Sequence, residues 1–123
     1  GDNNVFAGSG NDSIIIGSGD TVFGDAGDDR FFAQTGGDNH LTGNAGADQF
    51  WIAAAERPEA ANTVKDFTSG EDVLGIAGLG ASFDTLNISQ VGEDTSISFG
   101  GTELAILTGI EAMSLTADDF AFV

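Results

Sequence analysis

Ala7-Gly-Ser-Gly-Asn-Asp-Ser-Ile-Ile15 and Gly24-Asp-Ala-Gly-Asp-Asp-Arg-Phe-Phe32 are copies of one nine-residue unit, and Gly43 to Trp51 fits the same frame. Anchoring on a glycine, then an Asp or Asn, then a large apolar residue extends the register to six copies, at Gly1, Gly10, Gly19, Gly27, Gly37 and Gly46. The third copy, Ile16 to Phe23, is one residue short, and Ala33 is one extra residue before the fifth, after which the frame recovers. A fixed period of this kind is the signature of stacked structural units. Three-residue strands carrying Val5, Ile14, Val22, Phe31, Leu41 and Phe50 would each point one side chain inward at a fixed depth, so that neighbouring turns share one thin core.

The unit resembles the G-G-x-G-x-D-x-U-x repeat of RTX, or hemolysin-type calcium-binding, proteins, and the resemblance covers residues 1 to about 52. It implies an all-β fold, a parallel β-roll or RTX solenoid, with several calcium ions held by the loops. Isolated Asp and Asn residues are common turn formers. Six in register beside glycines suit a hard ion that takes six or more oxygens, because a Gly-rich turn aims backbone carbonyls inward alongside a carboxylate. A module this thin, with crowded carboxylates and few apolar side chains to offset chain ordering, is predicted to need the metal in order to fold.

In RTX rolls each ion sits between one loop and the loop two copies on, and loops alternate between two edges. Carried over residue by residue, the resemblance implies that Gly8, Gly10 and Asp12 face Gly24, Ala26 and Asp29 on one edge. Asp25, Gly27 and Asp29 then face Gly43, Ala45 and Asp48, with Asn44 and Gly46 in the same final loop. On the opposite edge Ser18, Gly19 and Asp20 face Gly36 and Asn39. The carboxylate position there reads Asn3, Asp20 and Asn39, so each site pairs one carboxylate with an amide oxygen and is expected to be weaker or empty.

Thr63-Val-Lys-Asp-Phe67 and Ser69-Gly-Glu-Asp-Val-Leu74 resemble the segment after the roll in serralysin-type secreted proteases. In that family, side chains just before the D-F pair help close the last calcium site, which implies Glu56 and Asn62 here. Ala53 to Asn62, interrupted by Pro58, reads as a loop leaving the roll. Leu86 to Val91, Ser96 to Phe99 and Leu104 to Leu107, separated by Gly92-Glu-Asp94 and Gly100-Gly101, read as a hairpin meander that extends and caps it. The expected organisation is a roll over 1–52 and a cap over 53–123. Leu115-Thr-Ala-Asp-Asp-Phe-Ala-Phe-Val123 resembles the uncleaved C-terminal signal of type I secretion substrates, which implies that machinery as a partner and an extracellular destination.

Composition narrows the rest. A net charge of −17, with Arg30, Arg57 and Lys65 as the only basic residues besides His40, argues against nucleic acid and anionic membranes and makes a cation the natural partner. No apolar run approaches the roughly 20 residues of a membrane span, and no N-terminal signal peptide is visible. Without Cys there is no disulfide or thiolate site. Catalysis within these residues is not expected, since there is no H-E-x-x-H or G-x-S-x-G motif and His40 reads as a surface residue.

Gly1 falls inside a repeat, which predicts further sequence upstream. The resemblance allows a secreted protease, lipase or alginate epimerase domain there, or a structural adhesin or surface-layer protein. Ice binding ranks last, because the outward residues Asn4, Ser13, Thr21, Arg30, His40 and Gln49 form no Thr/Asn ladder. A second outward row, Phe6, Ile15, Phe23, Phe32, Thr42 and Trp51, is aromatic enough to suggest a covered or partner-binding face.

Overall fold

A three-residue strand cannot hold itself in shape, so the repeat must find its hydrogen bonds in the next turn of the chain. The computed structural model, which describes residues 2–33, 36–54 and 57–123, shows this arrangement. Strands β1 (Asn4–Phe6), β3 (Thr21–Phe23), β5 (His40–Thr42) and β7 (Asn62–Val64) pair in parallel in one sheet. Strands β2 (Ser13–Ile15), β4 (Arg30–Phe32), β6 (Gln49–Ala54) and β8 (Val73–Ala77) pair in parallel in the other. The chain therefore winds between two sheets as a parallel β-solenoid. Among the described residues there is no α-helix, only three short 3-10 turns at Phe83–Thr85, Ala112–Ser114 and Ala117–Asp119.

The register aligns the inward residues. Val5, Val22, Leu41 and Val64 stack in the first sheet, and Ile14, Phe31, Phe50 and Leu74 in the second. From the second turn onward these side chains are fully buried, and the Phe31 and Phe50 rings stack 4.8 Å apart. The second sheet adds an inward row not anticipated from the period: Ile16, Ala33, Ile52 and Ile76 are all buried. Backbone bonds from Ile16 to Phe32 and from Ala33 to Trp51 hold this row in register. Ala33, the apparent insertion, is thus a core position.

The parallel ladders continue past residue 52. β6 runs to Ala54 with Ile52 and Ala53 buried, so residues 53 and 54 belong to a strand and not to the expected loop, and the chain returns to the first sheet at Asn62. The expected meander is present as β9 (Asn87–Val91), β10 (Asp94–Phe99) and β11 (Thr102–Leu107), paired antiparallel. β11 adds to β7 in parallel, with Leu107 beside Val64. The last strand, β12 (Phe120–Phe122), adds to β8 in parallel, with Phe120 beside Leu74. The end of the segment resembling a secretion signal, Phe120–Phe122, is therefore folded as a sheet edge.

The outward aromatic row covers itself unevenly. Phe6 and Ile15 are 70% and 84% exposed at the first turn, whereas Phe23, Phe32 and Trp51 are half-buried. Phe23 stacks on Phe6 at 5.2 Å, and Trp51 lies flat over the bare backbone of Gly75.

Candidate metal centre

The sheets bring the loops of each edge into stacks. On the first edge, Gly10 N donates to Ala26 O at 3.0 Å and Gly27 N to Ala45 O at 3.1 Å, so loops 7–12, 24–29 and 43–48 lie one on another. Gly27 has φ +125°, and a Cβ there would collide with the carbonyl of Gly10. Because the obstacle is backbone, nothing can swing aside. Gly27→Ala is expected to lower the stability of the folded protein by about 3 kcal/mol or more, read as a lower urea midpoint.

The stacking converts the Asp at the end of each loop into a ladder. Asp12 N donates to Asp29 Oδ1 at 2.8 Å, Asp29 N to Asp48 Oδ1 at 2.9 Å, and Asp48 N to Asp72 Oδ1 at 2.9 Å. The second carboxylate oxygen is different: Oδ2 of Asp12, Asp29 and Asp48 is buried and has no hydrogen-bond partner. Asp29 Oδ2 lies against Gly24 and Asp48 Oδ2 against Gly43, where a Cβ would strike them. The loop glycines thus leave room in front of the unpartnered oxygens.

Unpartnered buried carboxylate oxygens are costly, and the titration of Asp29 and Asp48 reflects it. Burial pushes Asp48 up to about 7, with Asp72, Asp29 and Asp66 adding repulsion. Asp29 and Asp72 are also raised, again mainly by burial. What this edge lacks is positive charge.

A hard cation fits that deficiency. The available donors are carboxylate and backbone oxygens, without Cys and with the only His, His40, on an outer face, which is a calcium-type set rather than a zinc-type one. Among the described residues no three of His, Asp or Glu gather around one point. A cation here would accordingly draw on paired carboxylates and on the carbonyls of Gly8, Gly10, Gly24, Ala26, Gly27, Gly43 and Ala45. Asp25 and Asn44, at φ +67° and +66°, turn these loops, and Asn44 Nδ2 reaches Asp25 Oδ1 at 3.5 Å.

The opposite edge is built differently. Asn3 N donates to Asp20 Oδ1 at 3.1 Å, Asp20 N to Asn39 Oδ1 at 2.8 Å, and Asn39 N to Asn62 Oδ1 at 3.3 Å. Gly17 N donates to Asp20 Oδ2 at 3.3 Å, and Asn39 Nδ2 to Gly17 O at 2.8 Å. The backbone N–H of Asn3 is the main cause that lowers the Asp20 carboxyl below its ordinary value. Gly19 N donates to Gly37 O at 3.0 Å, and Gly36 packs on Ser18. Protein donors already occupy the side-chain oxygens of Asp20, Asn39 and Asn62.

Asn62 thus falls on the opposite edge, where Asn39 engages its oxygen through N and Nδ2. Glu56 lies outside the described residues, as does Gly1. On the first edge the next loop instead supplies two carboxylates that the sequence reading did not select. Asp66 accepts from Gly43 N at 2.9 Å and Asn44 N at 2.7 Å, and Asp72 accepts from Asp48 N and from Thr68 N at 2.8 Å. The signal was available in Asp72-Val-Leu74, which repeats the Asp-x-apolar step of Asp12-Ser-Ile14, Asp29-Arg-Phe31 and Asp48-Gln-Phe50.

Known proteins share this architecture. The family described as peptidase M10 serralysin C terminal matches residues 2–115. The solution structure of the AlgE6R3 subunit from the Azotobacter vinelandii mannuronan C5-epimerase superposes with a TM-score of 0.58 at 23% identity, covering 92% of this chain and 78% of that one. The extracellular lipase LipA from Serratia marcescens superposes with a TM-score of 0.58 at 22% identity, covering 94% of this chain and 20% of the lipase. At these identities the likeness is one of fold, and this chain spans only a fifth of the lipase's length. No curated protein matches the sequence.

Proposed function

The chain belongs to the peptidase M10 serralysin C-terminal family, an RTX-type module, and from that premise we propose that it is a calcium-binding, non-catalytic part of a secreted protein that folds when its first edge is filled. The observation that carries the reading is the set of buried, unpartnered oxygens on Asp12, Asp29 and Asp48. Bound at that edge, calcium supplies the positive charge that these oxygens lack. Asp12, Asp29 and Asp48 would hold the ions with the stacked loop carbonyls, while Asp66 ties down the Gly43 and Asn44 N–H groups and Asp72 braces Asp48 from behind. The amide ladder at Asn3, Asp20, Asn39 and Asn62 closes the opposite edge without metal.

The same carboxylates oppose folding when no cation is present, because their charges are brought into one dry stack. The polypeptide would stay extended where calcium is scarce and fold where it is millimolar. That behaviour suits export through a type I machinery reading residues 115–123, followed by folding outside the cell beside an upstream domain. Far-UV circular dichroism during a calcium titration, after chelation and with magnesium as the comparison, tests the reading. A coil-to-β transition specific to calcium is expected; full β signal in chelator would overturn it.

A further inference from the structure

Loop 66–72 makes hydrogen bonds on two sides. Toward the first edge, Asp66 accepts from Gly43 N and Asn44 N, and Asp72 accepts from Asp48 N. On its other side, Ser69 Oγ donates to both carboxylate oxygens of Asp119 at 3.0 Å, and Gly70 N donates to Asp119 Oδ1 at 3.0 Å. Thr116 N completes the set on Oδ2 at 2.9 Å. Asp119 is 2% exposed and immediately precedes β12. A carboxylate taken this far from water holds its place only while its donors do, since losing them leaves a bare buried charge.

The same loop leads directly into β8, the strand on which β12 is paired. Phe120 lies beside Leu74 and Phe122 beside Ile76, and Gly78 N donates to Val123 O at 2.8 Å. One short turn therefore closes the stack of Asp carboxylates and also presents Ser69 and Gly70 to the segment before the last strand.

We propose that loop 66–72 and Asp119 form a latch that couples docking of β12 to filling of the calcium edge, an inference that rests on the calcium reading above. With the edge unfilled, repulsion among Asp48, Asp66 and Asp72 opposes ordering of the loop, the Ser69 and Gly70 donors are not held in place, and residues 115–123 are an accessible acidic-apolar peptide. With the edge filled, the donors are fixed and the end of that peptide is paired onto β8 as β12. Because coupling is reciprocal, loss of the latch weakens the calcium response, and a partner that binds 115–123 as extended chain competes with calcium.

Hydrogen exchange read by mass spectrometry on the full chain, across a calcium titration, tests the latch. In the unaltered protein, residues 120–123 are expected to exchange at least about tenfold more slowly in calcium than in chelator. Asp119→Ala is expected to keep the calcium-induced β signal, lose that slowing at 120–123, and raise the calcium midpoint by about fivefold. Ile97→Val, a core change in the hairpins, should shift the midpoint while leaving 120–123 slow. Should Asp119→Ala not fold at any calcium concentration, Ser69→Ala decides the matter by a partial loss of the slowing. Exchange at 120–123 as slow in the folded variant as in the unaltered protein would overturn the latch, whereas a β signal independent of calcium in the unaltered protein would overturn the calcium reading instead.

Discussion

Asp48→Asn is expected to raise the calcium concentration at half-folding by about tenfold or more and, in chelator at neutral pH, to make the protein easier to fold. The two effects have one cause. Asn keeps the shape and the oxygen that accepts from Asp29 N. It removes the charge that burial and the neighbouring Asp72, Asp29 and Asp66 carboxylates oppose, and it replaces the unpartnered Oδ2 with an amide nitrogen. Calcium affinity in oxygen sites follows the number of charged ligands, so the response weakens. The metal-free fold gains because a buried charge without a counterion has gone. A merely destabilising change would weaken both states. Asp20→Asn, on the opposite edge, should leave the number of calcium ions bound unchanged in native mass spectrometry, while Asp48→Asn lowers it. An unaltered calcium midpoint in Asp48→Asn would remove Asp48 from the site.

The solenoid was legible because its period is short and its chemistry repeats. Val5, Ile14, Val22, Phe31, Leu41 and Phe50 recur at fixed spacing, and each occupies the inward position of its strand. The hairpins were legible from Gly92 and Gly100-Gly101, which stand at φ +63°, +58° and +83° between runs of β-forming residues. The second inward row escaped notice because Ile16 and Ala33 fall just outside the strand of their copies and differ in size, so the repeat carries no signal for them. Asp66 and Asp72 were missed because the sequence between Ala54 and Asn62 breaks the period, and a register interrupted by an unequal insertion cannot be counted across. Spatial stacking restores it: Asp72 follows Asp48 by hydrogen bond although their spacing in sequence differs from that of Asp29 and Asp48. The contrast between the edges was half visible, as Asn in place of Asp. Its physical content, oxygens already taken by N–H donors on one edge and one bare oxygen left on each of Asp12, Asp29 and Asp48 on the other, needed coordinates.

In chelator, lowering the pH from 8 to 5 is expected to restore part of the β signal that calcium provides at neutral pH. Burial raises Asp48 to about 7 in the metal-free fold and raises Asp29 and Asp72 above their ordinary range. In the unfolded chain all three titrate near about 3.9. Between these limits the folded state binds more protons than the unfolded one, so stability falls as pH rises through the window and is gained on acidification. Protons then neutralise the stack in place of the cation. Asp20 has the opposite sign: its folded value is lowered, so its contribution is present above its unfolded value and is lost as pH falls through the folded one. The metal-free fold should accordingly be most stable at about pH 4, where the unfolded carboxylates titrate, with the β signal declining again in stronger acid. Calcium and protons compete for the same oxygens, so the calcium midpoint should rise as the pH drops below about 7. Asp48→Asn should flatten both dependences. A chelated protein whose β signal stays constant or falls between pH 8 and 5 would show that these carboxylates are not what holds the empty roll open.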